Sequence, residues 1–113
     1  MPKLYVYLGI IIMFYSNEHE PVHVHGKHQG NESKAEIIID DGKVIAIQIK
    51  SVKGKKSLQG NVLNDFKLFI ETYADDIVQK WIDYFVLHKS IACENIERRI
   101  KWFQMIKWLA LNK

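Results

Sequence analysis

The sequence predicts an α+β protein, with an antiparallel sheet of three to five strands followed by two to three C-terminal helices. The first half of the chain is rich in β-branched and aromatic residues, which suit strands, and the second half places its apolar residues at helical spacing. An Asp41-Gly42 dipeptide between two apolar runs is a hairpin signal, because both turn positions must tolerate positive φ.

Length and composition limit the class of protein. The chain has 113 residues, so we expect one domain over 1–113. It is 48% hydrophobic and 26% charged, which indicates a folded protein. Cys93 is the sole cysteine, which excludes an intramolecular disulfide framework and a Cys-based zinc finger. A net charge of +3 gives no support for specific DNA recognition.

The first apolar run, over 4–15, is best explained by strands. It is about half as long as a membrane-spanning helix, which needs about 20 apolar residues. The residues after it do not supply the small-residue cleavage site of a signal peptide. We therefore expect a cytoplasmic protein with no membrane partner, and one strand bent at Gly9 or two short strands.

Further strands are expected over 22–27, 34–40 and 43–50. A two-residue loop would place Asp40 opposite Lys43 and Ile38 opposite Ile45, and a bulge would shift this pairing. The other face of this hairpin is too apolar to be fully solvated, so we expect a homo-oligomer. The face expected to meet the core carries small and β-branched side chains, namely Ala35, Ile37, Ile39, Val44 and Ala46.

The remaining chain is expected to be a loop over 51–60 and then helices. Asn61 is a plausible N-cap for a first helix to about residue 73, and a second apolar stripe runs over 77–88. A third helix, basic and Trp-rich, is expected over about 93–111. Its docking on a second copy of the chain, on its own domain or on an anionic membrane stays open, and we favour the second copy.

Four of the five histidines lie within ten residues. Side chains two apart on a strand point to the same face, so His23 and His25 project side by side, and His19 can reach them from the preceding loop. Three histidines with an open position suit catalytic zinc, and two histidines with one carboxylate suit non-haem iron. The candidate carboxylates are Glu18, Glu20 and Glu36, and His28 falls on the opposite face.

Two other interpretations of the histidines stay open. His23 and His25 can act as a catalytic acid–base pair without a metal, as a metal-independent ribonuclease requires. Lys53, Lys55 and Lys56 would then hold the phosphate of the substrate. Alternatively, the strand serves only structure or protein interaction. Whether the protein is an enzyme therefore stays open, as does its use of a divalent metal, zinc or iron.

Residues 14–25, with His-Glu-Pro-Val-His-Val-His at their end, resemble the signature of the domain-of-unknown-function 4160 family. The similarity continues through 33–37, the Asp41-Gly42 hairpin, 52–56 and 71–81. It covers about 1–90 and leaves 91–113 as a C-terminal helical extension. Many members carry a second proline where this chain has Val22.

The resemblance implies a small bacterial α+β protein without an established activity. It also suggests a two-gene, toxin–antitoxin-like module with a small cognate protein of the unknown-function 2442 family. RNA is a possible target of such a module.

Overall fold

The computed structural model describes residues 2–15 and 22–100. These residues form a mixed α+β fold in which one long helix follows most of the sheet. The sheet has the strand order β5-β4-β3-β2-β1-β6, with all neighbours antiparallel except β1 and β6. In chain order the elements are β1 (Lys3–Tyr7), β2 (Ile10–Met13), β3 (His23–His28), β4 (Asn31–Asp40), β5 (Lys43–Ser51), α1 (Gly60–Trp81) with an added π-helical turn (Ile82–Val86), and β6 (Glu94–Ile96).

The α+β class is confirmed, and the number of elements differs from the prediction. The described residues contain six strands instead of three to five, and one α-helix instead of two to three helices. The first apolar run forms two strands, because Leu8 and Gly9 both adopt positive φ, 50° and 79°, and close a two-residue turn. The Asp41-Gly42 hairpin forms with Asp40 opposite Lys43, as expected.

A bulge shifts the register beyond that turn. Ile38 pairs with Ala46, whereas the unbulged register predicts Ile45. Ile45 is the extra residue of the bulge, and every later residue of β5 therefore exchanges faces. Ile47 and Ile49 pack against the core, and Ala46 is exposed.

The two expected helices are one continuous helix. Asp75 and Asp76, which lie just before the second expected helix and would suit a helix N-terminus, are in its interior. The two apolar stripes stay in phase, because Phe66, Ile70 and Ile77 follow the spacing of a single helix face, and no glycine or proline interrupts them. The N-cap is Gln59, and the expected cap, Asn61, lies inside the helix.

The start of the expected third helix is a strand. Residues Glu94–Ile96 pair in parallel with β1, and Lys80 of α1 holds the Glu94 carboxylate at 2.7 Å. The backbone hydrogen bonds that β1 offers at its edge, together with this ion pair, override the helical pattern. Residues 101–111, which include Met105 and Trp108, lie outside the described part of the chain.

Helix α1 packs on one face of the sheet, which we call the inner face. The Phe69 ring lies 4.9 Å from that of Tyr5 and 4.8 Å from that of Tyr7, and stacks on Tyr73 at 4.5 Å between centroids. Inner-face side chains of the strands complete a continuous core with the helix. No helix within 2–15 and 22–100 has the length and apolar character needed to cross a membrane.

Candidate functional site

The histidines of β3 lie on the side of the sheet away from α1, which we call the outer face. Val24 and the Cα of Gly26 face α1, so the side chains of His23 and His25, which alternate with them, lie on the outer face, as the sequence predicts. Their rings contact edge to face with centroids 5.2 Å apart. Both are buried, with 5% and 3% of their surface exposed.

Glu32 binds His25 and is the centre of the outer-face cluster. The Nδ1 of His25 lies 2.8 Å from Oε2 of Glu32, and the Tyr15 hydroxyl donates to the same oxygen at 3.0 Å. The edge of the His25 ring also meets the Tyr15 ring, with centroids 4.3 Å apart. Only 2% of Glu32 is exposed, so this carboxylate is bound to the imidazole and the phenol in a nearly dry setting.

Lys27 supplies positive charge to the same cluster. Its Nζ lies 3.9 Å from Oε1 of Glu32 and 5.2 Å from the centre of the Tyr15 ring. The hydrogen bond to Tyr15, helped by the charge of Glu32, raises the pKa of Lys27 against the opposing effect of burial. Lys27 therefore stays a cation beside the carboxylate.

Glu36, one of the expected oxygen ligands for a metal, is engaged by lysines. It lies opposite His23 in the register of β3 and β4. Its Oε1 is 2.7 Å from Nζ of Lys50, and its Oε2 is 4.0 Å from Nζ of Lys34. This geometry makes Glu36 a partner of two ammonium groups, one on its own strand β4 and one on β5.

The metal interpretation depends on residues that fall outside the described ranges. His19, Glu18 and Glu20 all lie within 16–21. Across 2–15 and 22–100, no group of three or more His, Cys, Asp or Glu side chains is placed to hold a metal ion. The site that the described residues do form is a histidine–carboxylate–phenol cluster.

A depression of about 270 Å³ adjoins this cluster at the end of the sheet. Glu32 and Lys27 belong to both, and His28 and Lys55 form other parts of its wall. The loop between β5 and α1, which carries Lys53, Lys55 and Lys56 and which we call the lysine loop, is tied to this place because the Glu32 amide donates to the Lys56 carbonyl at 2.8 Å. Of the three expected phosphate-binding lysines, the wall of the depression includes Lys55 but neither Lys53 nor Lys56.

Glu32 is the site residue that the sequence reasoning missed. The expected β4 began at Lys34, but the strand begins at Asn31, directly after a two-residue turn of Gln29 and Gly30. That tight turn pairs Lys27 with Glu32 and so brings the carboxylate diagonally beside His25. The Gln29-Gly30 pair, a glycine preceded by a polar residue between two strand-like stretches, is the sequence signal that indicates this turn.

The cluster has the parts that proton transfer requires. A carboxylate on Nδ1 fixes the tautomer and orientation of an imidazole and stabilises its protonated form. Acid–base chemistry by His25 then has to pass through Nε2. A second imidazole, that of His23, lies beside it, with the ring centroids 5.2 Å apart.

Comparison with known proteins identifies a family to which most of the chain matches. A family model described as a domain of unknown function, DUF4160, matches residues 9–82, which include β3, β4 and the depression. No curated protein and no solved structure matches the chain.

Proposed function

The chain belongs to the domain-of-unknown-function 4160 family, and from that premise we propose that it is a metal-independent acid–base catalyst that cleaves RNA. The observation that carries the proposal is the 2.8 Å contact between His25 Nδ1 and the buried Glu32 carboxylate. A positioned imidazole of this kind contributes about 10²–10⁴-fold to a reaction rate.

In the proposed reaction, His23 and His25 transfer protons to and from the scissile phosphodiester. One imidazole accepts the proton of a ribose 2′-hydroxyl, and the 2′-oxygen forms a new bond to phosphorus. The bond between phosphorus and the 5′-oxygen breaks, and the other imidazole, which is protonated at the start of the reaction, gives that oxygen its proton. The products are a 2′,3′-cyclic phosphate and a free 5′-hydroxyl, so no metal or redox partner is required.

The family resemblance suggests the biological setting of this chemistry. We propose that the protein is the toxic component of a two-gene, toxin–antitoxin-like module, and that a small cognate protein restrains it. The charge distribution supports an RNA target, because six lysines and one aspartate lie over 43–67.

RNA cleavage in the presence of EDTA tests the catalytic proposal. The His25→Gln variant should cleave single-stranded RNA at least about 100-fold more slowly than the wild type, because it loses the titrating group. His88→Gln is the matched control, since His88 is exposed and lies after the π-helical turn. Equal rates for the wild type and His25→Gln would contradict the proposal.

Metal analysis separates this mechanism from the metal interpretation. We expect the dialysed protein to contain far less than one zinc or iron per chain and to keep its activity in EDTA. Stoichiometric metal, lost together with activity on chelation, would instead favour a site built from His19, His23 and His25.

Growth on overexpression tests the proposed setting. The wild-type protein should inhibit growth, and the double substitution His23→Ala and His25→Ala should relieve the inhibition while the protein still accumulates in soluble form. A wild-type protein that is harmless at high expression would contradict the toxic role.

A protein-interaction role is the second candidate function, and the free edge of β5 favours it. Among the described strands β5 pairs with β4 alone. Ile45 and Ile39, which flank the Asp41-Gly42 turn, are 61% and 38% exposed. An unpaired, apolar edge strand is a template for pairing with another chain. We propose that β5 joins a second copy of the protein.

Light scattering tests this second candidate. The wild type should be a dimer at micromolar concentration, and Ile45→Lys should be a monomer, because the lysine places a charge at the proposed contact. Gln48→Lys is the control for added charge on the same strand. A wild type that stays monomeric at high concentration would contradict dimerisation through β5.

A further inference from the structure

We infer that the depression beside Glu32 is a phosphate-binding site, with Lys27 and Lys55 as its cationic ligands. The inference rests on the proposed function and deepens it by naming the group that the protein holds. It also assigns to Lys27 a role that the sequence pattern did not indicate.

Three segments that are distant in sequence build the wall of the depression. The β1–β2 turn contributes Gly9, the β3–β4 turn contributes Gln29 and Gly30, and the lysine loop contributes Lys55. The two turns lie at the same end of the sheet, because Ile11 next to the first is paired with Lys27 next to the second. Folding therefore brings Lys27 and Lys55 to one concave surface.

The charge exposed in the depression is positive. Glu32 is the acidic residue among the described residues of its wall, and its carboxylate is 2% exposed and already contacted by His25, Tyr15 and Lys27. The Lys27 side chain is about one-third exposed, and Lys55 is exposed. A ligand that enters the depression therefore meets the side chains of Lys27 and Lys55, while the Glu32 carboxylate faces its own partners.

Other groups of the wall suit an anion. His28 lies beside the Gly9 turn, and Asn31 carries an amide donor. An imidazole donates a hydrogen bond to a phosphate oxygen in either protonation state, and lysine binds phosphate as a point charge. A volume of about 270 Å³ lies just below the range of about 300–1,000 Å³ typical of small-molecule sites, which suits a phosphate with part of its sugar.

The position of the depression matches what RNA cleavage requires. Glu32 lies between the depression and His25, because it forms part of the wall of the depression and also contacts the His25 imidazole. A phosphate held by Lys27 and Lys55 would place the neighbouring part of an RNA strand near the imidazoles. The two lysines would thus act in binding and positioning, and the histidines in proton transfer.

Binding of inorganic phosphate and of a fluorescein-labelled single-stranded RNA oligonucleotide tests the inference. The double variant Lys27→Met, Lys55→Met should bind both probes at least tenfold more weakly than the wild type. The slope of log K against log salt for RNA should also become shallower by about 1.4, since each lost phosphate contact accounts for about 0.7. Urea unfolding of each variant verifies that it is folded.

The matched control is Lys43→Met, Lys67→Met, which removes the same charge from exposed positions on β5 and α1. It should keep the affinity for inorganic phosphate. Equal losses in the two double variants would overturn the inference, because they would indicate diffuse electrostatic attraction. Failure of the wild type to bind either probe would also overturn it.

The same measurements separate this inference from the proposed function. Phosphate binding that depends on Lys27 and Lys55, without RNA cleavage, would support the site and contradict the catalytic proposal. Cleavage that requires His25 but is indifferent to the two lysines would support the catalyst and overturn the phosphate site.

Discussion

Glu32 shows how a single residue organises the outer face. Its side chain lies on the same face as His25 because the Gln29-Gly30 turn sets the register of β3 and β4. One oxygen contacts both His25 and Tyr15. A buried carboxylate without such partners would be costly, so the three side chains depend on one another.

Gly26 has an equally specific role on the inner face. A Cβ at this position would lie 2.5 Å from Cε1 of Phe66, which is closer than real Cβ atoms approach carbon. Phe66 is fully buried and cannot move away freely. The absence of a side chain at Gly26 therefore allows α1 to approach β3.

We expect Gly26→Ala to destabilise the protein by about 1–3 kcal/mol, because the added methyl overpacks a closed interior. Urea unfolding measures the change.

A double-mutant cycle with Phe66→Leu isolates the cause. Phe66→Leu alone is destabilising, but in its background the Gly26→Ala penalty should shrink, because the ring atoms that clash are gone. Strictly additive effects would contradict the steric explanation.

At the scale of elements, β6 is held in place by α1. Lys80 lies 2.7 Å from Glu94 of β6 and 3.5 Å from Asp76 one turn earlier on the helix. The Tyr5 hydroxyl donates to the same Asp76 carboxylate. These contacts join α1, β1 and β6, and they explain why a segment of helical pattern adds a strand to the sheet.

This cluster predicts a loss of stability in alkaline solution. Burial lowers the pKa of Lys80, but the hydrogen bond to Glu94 and the charge of Asp76 outweigh burial and raise it. Burial and the bond to Asp76 raise the pKa of Tyr5. Groups with raised pKa hold more protons in the folded state, so their stabilisation is complete below the unfolded pKa values and declines as pH rises through the folded ones.

We therefore expect the urea midpoint of the wild type to fall between about pH 8 and about pH 11. Lys80→Met should be less stable than the wild type at the lower pH, and its urea midpoint should fall less than that of the wild type when the pH is raised. Lys67→Met, on the exposed side of α1, is the control. Identical pH profiles for the wild type and Lys80→Met would contradict a role for the ion pair.

At the scale of the whole molecule, the sheet separates the apolar core from the proposed functional site. The inner face carries the apolar core with α1, and the outer face carries the hydrogen-bonded cluster and the depression. The last described residues also contact this core side, because the Ile100 amide donates to the Tyr7 hydroxyl at 3.0 Å and Arg99 contacts Asp65 at 2.6 Å.

This separation predicts different results from substitutions on the two faces. Phe69→Ala should cost about 3–5 kcal/mol, because it removes a ring packed between Tyr5, Tyr7 and Tyr73. Tyr15→Phe removes the hydroxyl that is bonded to the buried Glu32 carboxylate and to Lys27, and should cost about 1–3 kcal/mol, while reducing RNA cleavage well beyond that loss of stability. Urea unfolding and cleavage rates measured together check both expectations.

The opposite pattern would contradict the separation. If Tyr15→Phe lowers activity only as far as its loss of folded protein explains, the outer-face cluster serves structure and not chemistry.

Local pattern was sufficient for the elements whose signals are contained in a few residues. The sequence alone determined the α+β class, the Asp41-Gly42 hairpin and the shared face of His23 and His25, since turn chemistry and the two-residue period of a strand are local.

Tertiary structure decided what depends on contacts between distant segments. It placed a bulge at Ile45 and joined two helical stripes into α1. It also made Glu94–Ile96 a strand, because this segment pairs with β1 and Glu94 contacts Lys80 of α1. It brought Glu32 to His25 and Lys55 to Lys27, since the register of the strands and the path of the lysine loop are decided only when the strands pair into the sheet.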